Sequence, residues 1–389
     1  MRTFTLMAIF VALCISSAPA QQPAPDDLAA VFERAQKALQ NQDYTAAEQG
    51  FKEVLRRAPH SAAAASNLGV VYIRTERYDS AIRVLLAAKR LAPDTPGFDL
   101  NLGLAYYYSE QFPKAIEAFS RVLQFQPDNY QARYLRAMSC FLNDEYGRAI
   151  QELEPLANGE QDNLDYLFAL GISYGKVKRT EDCEKTFGRM VRAGGDSAHL
   201  HFLLGRAYLD LYRNGPAREE LEKTIALDPK LPMAHYNLGV VYQRLRMLPE
   251  AIQQFAIEMT ITPGDPFSYE NRGVLCLEQS QWDEAIAYFR QALARQPKMP
   301  KSLAGTGKAY FQKGDAAQAI RYIQQAIALD PDDASFHYQL GQAYRLAGQP
   351  QHAATELATT QRLQAAARDK QADELSGRTP PPSPPAPSP

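Results

Sequence analysis

The chain has 389 residues, 46% of them apolar, and a formal net charge of −2. That composition can bury continuous apolar surface but is too polar for a membrane protein. The near-zero charge supplies no basic field, so nucleic acid and anionic lipid are not expected partners.

In chain order, residues 1–20 read as a secretory signal peptide. Arg2 is a minimal positive start, Leu6 to Ile15 is an apolar run, and Ala18-Pro19-Ala20 offers a small-residue cleavage site. The run is too short to span a bilayer. Cleavage after Ala20 would leave Gln21 first and a chain that is exported, periplasmic or secreted, with no integral membrane segment. A lipid anchor on Cys14 is disfavoured by the bulky Leu13 before it. Residues 21–27 form a linker.

From Leu28 onward the sequence repeats. Asn237-Leu238-Gly239, Tyr242, Ala251, Phe255 and Pro263 match Asn101-Leu102-Gly103, Tyr106, Ala115, Phe119 and Pro127, a separation of 136 residues, four times 34. Steps of 34 give ten units, starting at Leu28, Ala62, Pro96, Tyr130, Leu164, Ala198, Pro232, Pro266, Pro300 and Ala334. Position 8 is Gly in eight units, with Ala35 and Ala137 in the others, and position 20 is Ala except at Cys183. Such a unit holds helix A over roughly positions 1–14 and helix B over roughly 17–31. Small residues at positions 8 and 20 let the two helices approach. Tyrosines at position 11 (Tyr72, Tyr106, Tyr174, Tyr208, Tyr242, Tyr310 and Tyr344) fill the seam. Prolines such as Pro127 and Pro263 end helix B.

Register, small positions and terminal prolines together resemble the tetratricopeptide repeat family, from Leu28 to about Ala367. The Trp often found at position 4 of that family is replaced by residues such as Ala65 and His235. The resemblance implies an all-α fold, a right-handed α-solenoid superhelix of ten antiparallel helix pairs, whose A helices line a concave groove. Repeats 1–4 span 28–163 and repeats 5–10 span 164–367. Pro155 inside a B helix, with Gly194-Gly195 further on, predicts a joint at about 155–196. The last repeat lacks its proline, so its B helix should extend through a polar cap at 368–376. The tail, 377–389, should be disordered or extended in polyproline conformation.

Catalytic signatures are missing. No HExxH, P-loop, GxGxxG or GxSxG pattern occurs, and the cysteines lack metal-ligand spacing. No cofactor or metal is expected. Cys140, Cys183 and Cys276 stand at packing positions and read as buried thiols, and His201, His235 and His337, all at position 4, read as packing residues.

The family resemblance places positions 2, 5, 6, 9, 12 and 13 of helix A toward the groove. There the sequence puts Tyr107, Tyr108, Tyr134, Phe141, Phe168, Phe202, Tyr236 and Tyr338, with Phe267 and Phe311 on the same side. Aromatic side chains give large contact area at low entropic cost. Position 6 adds Asn67, Asn101, Asn237 and Asn271, whose amides can pair with a peptide backbone. They resemble the asparagine ladder in the repeat arm of O-linked N-acetylglucosamine transferases, although no transferase domain follows. Lys at position 5 and Asn at position 9, which clamp chaperone C-termini in related proteins, are absent.

The expectation is a non-catalytic scaffold for peptide or protein segments. The alternative is a structural assembly factor of an envelope secretion, pilus or exopolysaccharide machine, associated with a membrane complex. N-terminal sequencing of exported protein should begin at Gln21. An intact Met1 on the exported chain would contradict the signal reading.

Overall fold

The structure, a computed structural model, describes residues 27–91, 93, 96–157, 159 and 163–376. The signal segment 1–20 and the tail 377–389 lie outside the described residues. Among the described residues there are twenty α-helices, one 3-10 turn at Glu154–Leu156 and no strand. They form two compact units, one ending at Leu211 and one starting at Tyr212.

The first unit holds α1 (Leu28–Gln40), α2 (Tyr44–Arg57), α3 (Ala62–Arg74), α4 (Tyr78–Leu91), α5 (Pro96–Tyr108) and α6 (Phe112–Phe125). It continues with α7 (Tyr130–Leu142), α8 (Tyr146–Leu153), α9 (Leu164–Lys176), α10 (Thr180–Gly194) and α11 (Ala198–Asp210). The second unit holds α12 (Asn214–Leu227), α13 (Ala234–Arg244), α14 (Leu248–Ile261), α15 (Phe267–Glu278) and α16 (Trp282–Arg295). It ends with α17 (Pro300–Gln312), α18 (Ala316–Leu329), α19 (Ala334–Leu346) and α20 (Pro350–Ser376). Odd-numbered helices are the A helices and even-numbered ones the B helices. The boundary at Leu211 falls one helix beyond the segment where the sequence places a joint.

Local chemistry sets the helix ends. Asp27, Asp43, Ser61, Asn129, Asn163, Ser197, Asp315 and Asp333 cap helix N-termini by accepting from backbone N–H groups of the first turn. Each such cap is worth about 1 kcal/mol. The A-to-B turn places position 15 in the left-handed region in every repeat, from Gln42 to Ser280, with Gly314 (φ 81°) and Gly348 (φ 70°) in the last two. The next residue then donates its N–H five residues back to the position-11 carbonyl, as in Arg77 to Tyr72 (2.8 Å) and Asp315 to Tyr310 (2.9 Å).

At the other end of the repeat, α6, α12, α14, α16 and α18 each stop two residues before a proline, as expected from the restriction on the residue preceding it. Pro155 has its expected effect. Helix α8 has 8 residues where α6 has 14, and gives way to the 3-10 turn. Without a terminal proline, α20 runs for 27 residues, and from Gln364 through Asp369 it is mostly exposed.

The core is a seam between A and B helices, and its tightest point is position 8. A methyl group added at Gly171 would sit 2.6 Å from the Phe187 ring, and one at Gly239 would sit 2.8 Å from the Phe255 ring. Position 24 of helix B thus drives a bulky side chain onto a bare stretch of helix A. The position-20 alanines close in beside it, and Ala81, Ala115, Ala251, Ala285 and Ala319 are fully buried.

Cys140, Cys183 and Cys276 are buried, and burial pushes the Cys140 thiol up to about 11. The position-4 histidines His235 and His337 are also packing residues. One ring nitrogen of each meets a B-helix side chain, Gln254 at 2.6 Å and Glu356 at 2.7 Å. The other meets a proline carbonyl in the preceding turn at 3.0 Å.

Two glycine substitutions in one helix pair should move stability in opposite directions. Gly171→Ala should destabilise by roughly 1–3 kcal/mol through overpacking. Gly188→Ala, in the interior of α10 with only the end of Arg192 near the new methyl group, should stabilise by roughly 0.5–1 kcal/mol. Urea melts of both variants check the signs.

Candidate ligand-binding groove

In the first unit the A-helix aromatics meet one another. Tyr107 packs edge-on to Tyr108 at 5.4 Å and to Phe112 at 6.1 Å. Phe141 and Phe168 meet edge to face at 6.2 Å. Arg206 covers Phe168 at 5.4 Å and Phe202 at 5.6 Å. Tyr107 and Tyr134 are half-buried, and desolvation raises both phenols well above their ordinary range. Asp165, at the start of α9, is raised as well, again by burial, against the opposing charges of His199 and Arg206.

Four residues that the sequence assigns to the groove in this unit are buried. Phe168 is 1% exposed, Phe141 4%, Asn67 1% and Asn101 0%. None offers surface to a ligand in this structure. Phe141 and Phe168 lie on adjacent A helices, where position 12 of one repeat meets position 5 of the next and the two rings fill the space between them. The position-6 asparagines are enclosed as well. Neither polar atom of the Asn101 amide has a protein partner, nor does Nδ2 of Asn67.

In the second unit the Nδ2 groups of the position-6 asparagines are satisfied locally. Asn237 Nδ2 donates to the Met233 carbonyl at 2.8 Å, and Asn271 Nδ2 donates to the Phe267 carbonyl at 3.0 Å and to the Tyr236 hydroxyl at 3.4 Å. Burial pushes the Tyr236 phenol up to about 12. The first turn of α13 is held by Glu258, a fully buried carboxylate on α14. It accepts from the Met233 N–H (2.8 Å), the Tyr236 N–H (3.2 Å) and the Thr262 hydroxyl (2.6 Å). A buried carboxylate requires such pairing.

An open site lies further along, between α17 and α19. A pocket of about 430 Å³ is lined by Lys308, Phe311 and Gln312 from α17, by Ser335, Tyr338, Gln339 and Gln342 from α19, and by Ile323 from α18. The α17 residues occupy positions 9, 12 and 13 of their repeat, and the α19 residues positions 2, 5, 6 and 9 of theirs. Ile323, fully buried, is the floor, while Tyr338 is 51% exposed and forms part of the rim. Tyr338 and Phe311 were visible in the sequence as aromatics. Lys308, Gln312, Ser335 and Gln342 were missed, although the same register would have found them. Among the described residues no group of three or more His, Cys, Asp or Glu could hold a metal ion, and no helix is long and apolar enough to cross a membrane.

Tetratricopeptide repeat models match residues 32–96, 100–162, 220–253 and 277–322, and a TPR repeat model matches 307–348. The chain is a tetratricopeptide repeat protein. Its fold is similar to that of a tetratricopeptide repeat protein from Parabacteroides merdae, at 15% identity and a TM-score of 0.51 over 72% of this chain and 98% of that one. Yeast Tom70 aligns over 89% of this chain and 96% of its own at 12% identity, with a TM-score of 0.42. No curated protein sequence matches.

The Asn101 amide supplies a test of whether these enclosed groups are purely structural. Unpaired buried polar groups cost roughly 1–3 kcal/mol. Asn101→Leu should therefore stabilise the first unit, read as a higher urea midpoint. A lower midpoint would mean that the amide has a partner such as an ordered water.

Proposed function

We propose that this tetratricopeptide repeat protein is a non-catalytic scaffold that holds an extended protein segment against its A helices, with the pocket between α17 and α19 as the principal seat. The reading rests on one observation. Seven of the eight residues lining the pocket come from the A-helix positions at which the repeat family faces its ligands. The lining combines two aromatic rings, three glutamine amides, a hydroxyl group and one lysine. Rings supply contact area and amides read a backbone. The signal-like residues 1–20 extend the proposal to a partner met outside the cytoplasm.

Selection of peptides against the chain tests the reading. Peptides selected on the parent should lose at least about tenfold in affinity on Tyr338→Ala, roughly 1.4 kcal/mol. The thermal melt should stay unchanged, because half of that side chain faces solvent. Undiminished binding by the variant would move the ligand site elsewhere.

A further inference from the structure

Charge narrows what fits the α17–α19 pocket, and this step rests on the groove reading above. Neither helix carries an Asp or Glu, while together they hold Lys301, Lys308 and Arg345. Lys308 stands at position 9 of α17, within the pocket lining, and Arg345 at position 12 of α19. The residues at the matching positions of the other helix, Gln342 and Phe311, also line the pocket, so both positions face the same way. The Lys308 and Arg345 side chains are exposed, and among the described residues neither has an ion-pair partner. Neighbouring cations differ. Lys313, just past α17, pairs with Asp283, and Arg272 on α15 lies over the Tyr288 ring at 4.9 Å.

The acids that flank these helices do not neutralise the two cations. Asp315 and Asp333 cap α18 and α19, accepting from the N–H groups of Gln318 (3.0 Å) and Ser335 (2.8 Å). Asp330 and Asp332 precede α19, and Arg345 lies about 16 Å along that helix from its start. Neighbouring A helices run roughly 10 Å apart, and positions 9 and 12 differ in height by about 4.5 Å. Two long side chains so placed reach carboxylates on one short stretch of bound chain. Apolar surface lies beside them. Phe311 and Tyr338 supply rings, and Leu346, next to Arg345, is 46% exposed. The amides of Gln312 and Gln342 add donors for carboxylate or backbone oxygens.

We propose that the α17–α19 pocket takes an acidic segment of a partner protein in which Asp or Glu stands beside a large apolar side chain. The carboxylates meet Lys308 and Arg345, and the apolar group rests on Phe311 and Tyr338. The segment binds through its interior. Exposed cations on flexible stems respond to charge rather than to the fixed geometry of a chain terminus, so no free C-terminus is required. An exposed ion pair changes affinity by roughly 1.5- to fivefold. The larger effects of such charges fall on the association rate and on the rejection of basic segments.

The test is selection from a library of random peptides displayed with both ends joined to a carrier, so that no terminus is free. It is run on the full chain and on its Lys308→Glu/Arg345→Glu variant. The parent should enrich Asp and Glu beside Leu, Phe, Tyr or Trp, and deplete Lys and Arg. The variant should reverse the charge preference and keep the apolar one, which an unfolded variant could not do. A labelled, amide-capped peptide from the parent pool should bind Lys308→Gln/Arg345→Gln about tenfold more weakly than the parent at about 50 mM salt, with most of that difference gone at about 500 mM. A parent pool without acid enrichment, or an acid-rich pool recovered equally on the Glu variant, would overturn the proposal. Tyr338→Ala then separates this failure from that of the groove reading. If the parent pool still depends on Tyr338, the groove stands and only the acidic character of its ligand falls; if it does not, both fall.

Discussion

The contact on which the architecture depends is the meeting of position 8 on helix A with position 24 on helix B. Glycine leaves a bare patch on one helix, and a phenyl ring, leucine or isoleucine on the other fills it. Gly103 with Phe119, Gly273 with Phe289, and Gly341 with Leu357 repeat the arrangement in both units. The first repeat reverses it, with Ala35 at position 8 and Gly50 on the opposing B helix, where an added methyl group would lie 2.6 Å from Ala35 Cβ. Glycine in a helix interior costs roughly 0.5–1 kcal/mol relative to alanine. The burial of a ring such as Phe119 or Phe289, both fully enclosed, exceeds that cost. Because this contact fixes the rotation of each A helix about its own axis, it also fixes which residues face away from the B helices.

That rotation separates the two ends of the chain in character. In the first unit the residues turned away from the seam are bulky aromatics, and they satisfy one another. Phe141 meets Phe168, Tyr107 meets Tyr108, and Arg206 covers what remains of Phe168 and Phe202. In the last two repeats the same positions hold Lys308, Gln312, Ser335, Gln339 and Gln342, with only Phe311 and Tyr338 as rings. Amides and a lysine do not collapse onto one another as rings do, so space is left between α17 and α19.

Much of this was legible in the sequence because it depends on register. The helix starts, the proline stops, the shortened α8 and the lengthened α20 all follow from residues counted at fixed offsets, whereas the left-handed position 15, held mostly by residues other than glycine, carries no such mark. Depth was not legible. A period identifies the face on which Phe168 and Tyr338 stand, both at position 5, but not that Phe141 would cover the first while the second stayed half open. The same holds for position 6. Asn271 reaches the Tyr236 hydroxyl, whereas Asn101 is enclosed without any partner. Glu258 escaped notice because its role, capping the start of α13 from the far side of the repeat, leaves no pattern along the chain.

The claim that ligand binding is concentrated at the α17–α19 face is tested most directly by site-specific photocrosslinking. A photoreactive amino acid is placed at position 338, at position 342 and, as a control, at Gln351 on the exposed side of α20. With a selected peptide present, crosslinks should form at 338 and 342 and not at 351. Crosslinking at 351 with none at 338 or 342 would contradict the account.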